Sequence, residues 1–156
     1  MVQAQDGVSV ESDTLGALLY PLEGDTFALD MVIKPERYHE FGIALHVDKE
    51  LETGYFLRMN PKNQLVAWDM WPRGEQGRYQ WQIKGDVPYQ IETARKLPKA
   101  EEYRIHIIKE KDICAVYIND EIVLSTRMYN HKDGYAGIYV VQGNVKLIQY
   151  KEKRSE

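Results

Sequence analysis

Six consecutive residues, Trp68–Asp69–Met70–Trp71–Pro72–Arg73, bring together the side-chain types that hold a sugar. Sugar rings present apolar C–H faces that pack on Trp and Tyr, while their hydroxyls pair with carboxylates, amides and guanidinium groups. In strand alternation Trp68 and Met70 face one way, and Asp69 and Trp71 the other. Only one of the two tryptophans can therefore be core while the strand stays regular. One reading makes Trp68 core and lets Trp71 cap the following loop. The other puts Asp69, Trp71 and Arg73 at a rim where a terminal sugar docks. Arg58, between Leu57 and Met59, points away from their face, either into solvent or into a concave sheet surface.

A second candidate set is Asp120, Arg127 and Tyr129. Asp120 sits in a turn and Arg127 at the end of the strand that leaves it, so the two are not expected in one pocket. An arginine that ends a core strand is also a common structural ion-pair partner. Glu40, Asp48 and Glu52 read as acidic loop residues on a solvated surface.

No motif marks a catalytic centre. The chain has no G-x-S-x-G elbow, no P-loop and no G-x-G-x-x-G run. His39, His46, His106 and His131 lack H-x-x-x-H spacing, which argues against zinc, and His46 and His106 within alternating stretches read as structural. A glycosidase needs two carboxylates across a cleft. The 24 acidic residues supply many pairs on paper, but the strand faces place no two of them on one sheet surface. No cofactor is expected; a structural calcium ion held by acidic loops is kept as an alternative, although no D-x-D-x-D-G ladder supports it.

Composition narrows the partners. A net charge of −4 without a dense basic stripe excludes a phosphate-backbone binder, so nucleic acid is not an expected partner. No apolar run is long enough to span a bilayer, and the N-terminus carries no charged segment followed by an apolar core, so no membrane partner is expected. The single cysteine, Cys114, excludes an internal disulfide and, in an apolar strand, reads as a buried thiol. Eleven tyrosines favour strands and wet recognition surfaces.

Strands must position these residues, and the clearest lie in Asp112–Asn130. There Ile113, Ala115 and Tyr117 alternate with Cys114, Val116 and Ile118. Asn119–Asp120–Glu121 supplies turn chemistry and Ile122–Thr126 returns. Upstream, the pattern predicts a weak edge strand in Gln3–Asp13, a short apolar run at Leu15–Tyr20, and a strand through Phe27–Lys34. A loop is expected at Pro35–Glu40, then Phe41–Val47 with Phe41, Ile43, Leu45 and Val47 on one face. Asp48–Gly54 is an acidic connection, Tyr55–Asn60 a strand, and Pro61–Asn63 a turn into Gln64–Trp71. Tyr79–Lys84 is expected as a strand and Gly85–Lys99 as a long surface excursion. Tyr103–Glu110 precedes the hairpin, and Tyr135–Val141 and Val145–Tyr150 are expected to pair around Gly143–Asn144.

With no amphipathic helix of three turns, these elements predict an all-β, two-sheet antiparallel β-sandwich, best fitted by a concanavalin-like jelly roll. One domain is expected over 1–156, with 1–13 poorly ordered or an edge strand and 151–156 a tail.

The wording of the hairpin resembles a known family. Tyr117, Asn119 and Asp120, followed by Leu124, Ser125, Thr126 and Arg127, are similar to the C-terminal β-sandwich of family-32 glycoside hydrolases, the levanases, inulinases and invertases. The related family-66 carbohydrate-binding modules share that sandwich and bind fructan. The resemblance covers about Ile105–Tyr150. It implies a non-catalytic module, because the Trp-x-Asn-Asp-Pro-Asn-Gly nucleophile motif of family-32 enzymes belongs to their N-terminal propeller and is absent here. The implied partner is a polysaccharide or oligosaccharide, levan or inulin or a related plant or bacterial glycan, with a catalytic domain in the same parent chain. An extracellular or cell-surface location follows only from that fructan reading. Two alternatives stand beside it: a structural sandwich that binds no sugar, and a jelly-roll glycosidase with an unrecognised carboxylate pair.

Overall fold

The computed structural model describes residues 3–4, 7–71, 89–90, 94–129 and 133–154. Within them lie the strands β1 (Gln3–Ala4), β2 (Val8–Pro21), β3 (Thr26–Arg37), β4 (Glu40–Val47), β5 (Gly54–Asn60) and β6 (Leu65–Trp71). β7 (Tyr89–Gln90), β8 (Tyr103–Glu110), β9 (Ile113–Ile118), β10 (Ile122–Arg127) and β11 (Tyr135–Arg154) follow. A 3₁₀ turn at Pro61–Asn63 joins β5 to β6, and there is no α-helix among the described residues.

All pairing is antiparallel, in the order β10-β9-β8-β3-β11-β4-β5-β6-β7. The first half of β11 pairs with β4 and the second half with β3. β2 follows β11 along both halves, so two strands pass from one sheet to the other. The result is a β-sandwich in which β4–β7 belong to a first sheet and β3 and β8–β10 to a second.

Alternation explains the core. Phe41, Ile43, Leu45, Leu57, Met59, Val66 and Trp68 of the first sheet pack against residues such as Leu29, Met31, Ile33, Ile105, Ile107, Val116 and Leu124 of the second, all fully or almost fully buried. Each such side chain contributes about 1.5–3 kcal/mol on burial. Trp68 is a core residue, at 0% exposure. Cys114 is buried as expected, and burial pushes its thiol up to about 12.

The central hairpin forms as its sequence predicts. Asn119 (φ 51°) and Asp120 (φ 57°) take the left-handed conformation that a two-residue turn between twisted strands requires. Asn119 also accepts a hydrogen bond from the Arg104 backbone N–H at 2.7 Å, which ties the turn to β8.

Six expectations change. No hairpin forms at Gly143–Asn144; β11 is one strand of 20 residues. Gln142 adopts φ 50° and the register against β2 shifts between Val141 and Gly143, which makes this a bulge. A Cβ on Gly143 would lie 1.9 Å from the Arg37 carbonyl oxygen, so the glycine serves close backbone approach and not chain reversal. Residues 151–154, expected as part of a tail, extend β11 opposite Phe27–Asp30, and Glu152 is buried.

The N-terminal segments also differ. Val8–Asp13 and Leu15–Tyr20 merge in β2, and β3 continues through Pro35 to Arg37. Pro35 is accommodated because it stands at a register shift opposite Val145. Val47 leaves the face of Phe41, Ile43 and Leu45: His46 has φ 54°, a register shift against β11 accompanies it, and Val47 joins a smaller apolar cluster with Ala44 and Tyr139. The expected strand Tyr79–Lys84 lies outside the described residues. Part of the expected excursion 85–99 returns to the sheet: β7 pairs with β6, Arg95 bridges Val66, and Leu97 is fully buried.

Candidate functional site

The outer face of the first sheet carries a cluster of charge on adjacent strands. Glu40 opens β4, Arg58 lies on β5 and Asp69 on β6, each pointing away from its core-facing neighbours. Register places Gly42 directly between Tyr139 of β11 and Arg58 of β5. Ala67 continues that row on β6, opposite Arg58. A Cβ on Gly42 would meet the Leu57 carbonyl oxygen at 1.9 Å and the Tyr139 ring at 2.9 Å. Gly42 is itself buried, and the Tyr139 ring lies over it beside the Arg58 guanidinium.

Arg58 Nε stands 3.0 Å from Asp69 Oδ2, with side-chain exposures of 28% and 8%. Tyr139 donates from its hydroxyl to Glu40 Oε2 at 3.3 Å. Its ring packs edge-on against Phe56, centroid to centroid 5.6 Å, and the second apolar cluster surrounds it. Burial is the largest influence on both carboxyls. It raises Asp69 above the ordinary carboxylate range although Arg58 pulls it down. It raises Glu40 as well, against the opposing effects of Arg58 and Tyr139, while the charge of Asp69 adds to the rise. Tyr139 is raised well above an ordinary phenol, chiefly by burial, and so remains a neutral donor. Chemically the face offers two carboxyl groups and a planar cation, backed by the buried Tyr139 ring.

Glu40 was not legible as part of this cluster. The residues before Phe41 read as loop, whereas β4 begins at Glu40 and pairs it with Val141. Contrary to the expectation from the strand faces, two acidic residues, Glu40 and Asp69, thus share one sheet surface. Asp48, by contrast, stays in its loop and accepts from the Glu52 and Thr53 backbone N–H groups at 2.7 and 2.9 Å.

Of the residues expected at a sugar site, Arg58 and Asp69 are brought together. Trp71 ends the same strand, its backbone paired with Gly54. Arg73 lies outside the described residues. Asp120 and Arg127 fall at opposite ends of the β9–β10 hairpin in the second sheet, and Tyr129, just beyond, is 60% exposed. None of these three approaches the Arg58–Asp69 pair. Among the described residues no three His, Cys, Asp or Glu side chains converge on a point that could hold a metal ion.

Carbohydrate-binding module CBM66 from Bacillus subtilis superposes with a TM-score of 0.75 at 17% identity, over 97% of this chain and 91% of that one. A Caenorhabditis elegans galectin superposes with a TM-score of 0.62 at 11% identity, over 96% of each chain. The Aspergillus kawachii β-fructofuranosidase gives 0.66 at 12% identity; the match covers 99% of this chain but only 27% of the enzyme. No protein-family model and no curated protein sequence matches the chain. At these identities the likeness is one of fold. It is the sandwich that the hairpin wording led one to expect, that of family-66 modules and of the C-terminal region of family-32 enzymes.

Proposed function

We propose that this domain is a non-catalytic carbohydrate-binding module whose site is the outer face of the first sheet, built on Glu40, Arg58 and Asp69, with Trp71 at its edge. The observation that carries the reading is the Arg58–Asp69 pair, with Glu40 near enough to feel both charges, on the outer face of the sheet. A neutral sugar presents vicinal hydroxyls, each a donor and an acceptor. A carboxylate and a guanidinium held in fixed relation match two such hydroxyls at once. The partly buried setting strengthens these bonds, and the sheet holds the groups before the ligand arrives.

Terminal fructose of a levan- or inulin-type chain is the proposed ligand, and the module would serve a glycoside hydrolase as an accessory. The support is the fold of the module named CBM66 and of the β-fructofuranosidase, together with the acceptor-rich face. A single shallow site of this kind gives dissociation constants from about tens of micromolar to millimolar. Isothermal titration against levan, inulin, fructose and a non-fructan glycan tests the proposal. Saturable heat with the fructans, lost in Asp69→Asn and in Trp71→Ala while both variants stay folded, is the expected result. Silence across the panel would leave a structural sandwich.

A second reading has one observation in its favour: two carboxyls share a face, as a glycoside hydrolase requires, although it works with one protonated and one ionised and burial raises both here. Release of reducing sugar in the same samples would establish it. Binding is preferred because Asp69 is tied to Arg58 and Glu40 to Tyr139, an arrangement that holds both carboxylates as acceptors.

A further inference from the structure

A second groove lies on the opposite side of the molecule, on the outer face of the second sheet, with a volume of about 490 Å³. Register arranges its side chains in two rows. The first runs Lys151 (β11), Asp30 (β3), His106 (β8) and Tyr117 (β9), each directly opposite the next. His106 Nδ1 bonds the Asp30 carboxylate, and its ring lies 6.0 Å from that of Tyr117, tilted by 39°. The second row places Arg104 opposite Val32, one step along the strands, with Gln149 beyond it on β11.

The polar balance differs from that of the first face. One oxygen of Asp30 is taken by His106, and neither Arg104 nor Lys151 has an acidic side chain within ion-pairing distance among the described residues. Uncommitted donors therefore outnumber acceptors, with Asp120 the remaining carboxylate at the rim. Such a lining suits a ligand rich in acceptor oxygens, above all one with a carboxylate that a guanidinium can grip with two bonds. The Tyr117 ring suits the apolar face of a pyranose, and the volume admits one or two sugar units.

We infer that this groove is a second carbohydrate site, specific for a carboxylated sugar such as a uronate, with Arg104 and Lys151 holding the carboxylate and Tyr117 and the His106–Asp30 pair receiving the ring. It does not rest on the reading of the first face, which shares no residue with it. A domain with sites on opposite faces bridges two glycan chains, or two stretches of one, and gains avidity without any new contact.

The test is a two-dimensional NMR titration of the whole domain with glucuronate, glucose and acetate. Saturable shifts centred on Asp30, Arg104, His106 and Tyr117 are expected with glucuronate, at an affinity at least tenfold above that for glucose. Arg104→Gln should lower that affinity at least tenfold; Arg104 is exposed, so the fold should persist. Tyr117→Ala should weaken it, and Asp69→Asn on the first face should leave it unchanged. Equal responses to acetate and glucuronate would reduce the groove to a patch of positive charge and overturn the inference. So would shifts confined to the first face, or no saturable shift at all.

Discussion

Tyr139 and Gly42 stand opposite one another across β11 and β4, and the ring of the first occupies the space that any side chain on the second would need. The pair shows how the candidate face is kept both flat and aromatic. Gly42→Ala should cost about 1–3 kcal/mol or more, because the added methyl meets a backbone oxygen as well as the ring. The check is a pair of denaturation curves, read together with fructan titration. A variant of unchanged stability would mean that β4 has room to shift and that the floor is not set by Gly42.

Arg58 and Trp68 lie on neighbouring strands, yet their replacement should have opposite signatures. Trp68→Ala removes a fully buried ring and should destabilise by about 3–5 kcal/mol. Arg58→Ala leaves Asp69 buried without its cation, at a cost of about 1–3 kcal/mol, smaller because the pair is partly solvated. Sugar binding should vanish in the second and survive, at a temperature where the variant is folded, in the first. Calorimetry of the two variants separates these outcomes.

The two carboxyls set a pH dependence whose sign can be worked out. Glu40 and Asp69 hold their protons more tightly folded than unfolded, because burial raises both. Above the ordinary carboxylate range the native state therefore carries more protons than the unfolded one, and stability falls as pH rises through the raised values. Binding runs the other way, since hydroxyls need ionised acceptors, and should weaken on acidification before ordinary surface carboxylates titrate. Glu40→Gln should flatten the stability slope just above the ordinary carboxylate range. Urea titrations across that range decide it; an unchanged slope would assign the effect to other groups.

Cys114 should be inert in the native protein. Its thiol is fully buried and pushed up to about 12, so almost none is thiolate near neutral pH. A disulfide reagent at about pH 8 should find no reactive thiol until the chain unfolds, then one per molecule. Rapid native labelling would mean that the β8–β9–β10 layer opens locally.

Asp120→Gly should stabilise the domain. Asp120 holds φ 57°, which glycine adopts without penalty, and an Asn-Gly turn is the favoured solution at this position. A gain of about 1 kcal/mol at most is expected from the relieved left-handed backbone. A loss would indicate that the Asp120 carboxylate makes a compensating contact.

Much of this architecture was legible in the sequence because its strands alternate strictly. The runs around Ile43, Leu57, Trp68, Ile107 and Val116 each declare a buried face and a wet one, and Asn119–Asp120 declares its turn. Arg58 and Asp69 could be placed opposite the core for the same reason. What alternation cannot show is where a strand breaks period without ending. His46 and Gln142 each adopt positive φ inside a strand, which sends Val47 to the other face and turns an apparent hairpin at Gly143 into a bulge. Glu40 was missed because Pro35 looks like a terminator, whereas β3 carries it at a register shift and resumes. The second groove had no local signature either. Lys151, Asp30, His106 and Tyr117 come from four separate strands, and only their registers make them neighbours.

The long β11 has a consequence for how the domain is made. It is the last of the described strands to leave the ribosome, and it joins β2 to β4 in one sheet and β2 to β3 in the other. Until it emerges, β4 and β3 have no partner between them, and their inner edges stay open to pairing with other chains. The rate of folding is then tied to contacts of great sequence separation. A nascent chain stalled within 135–154 would be not half a sandwich but an aggregation-prone intermediate, dependent on chaperones until synthesis resumes.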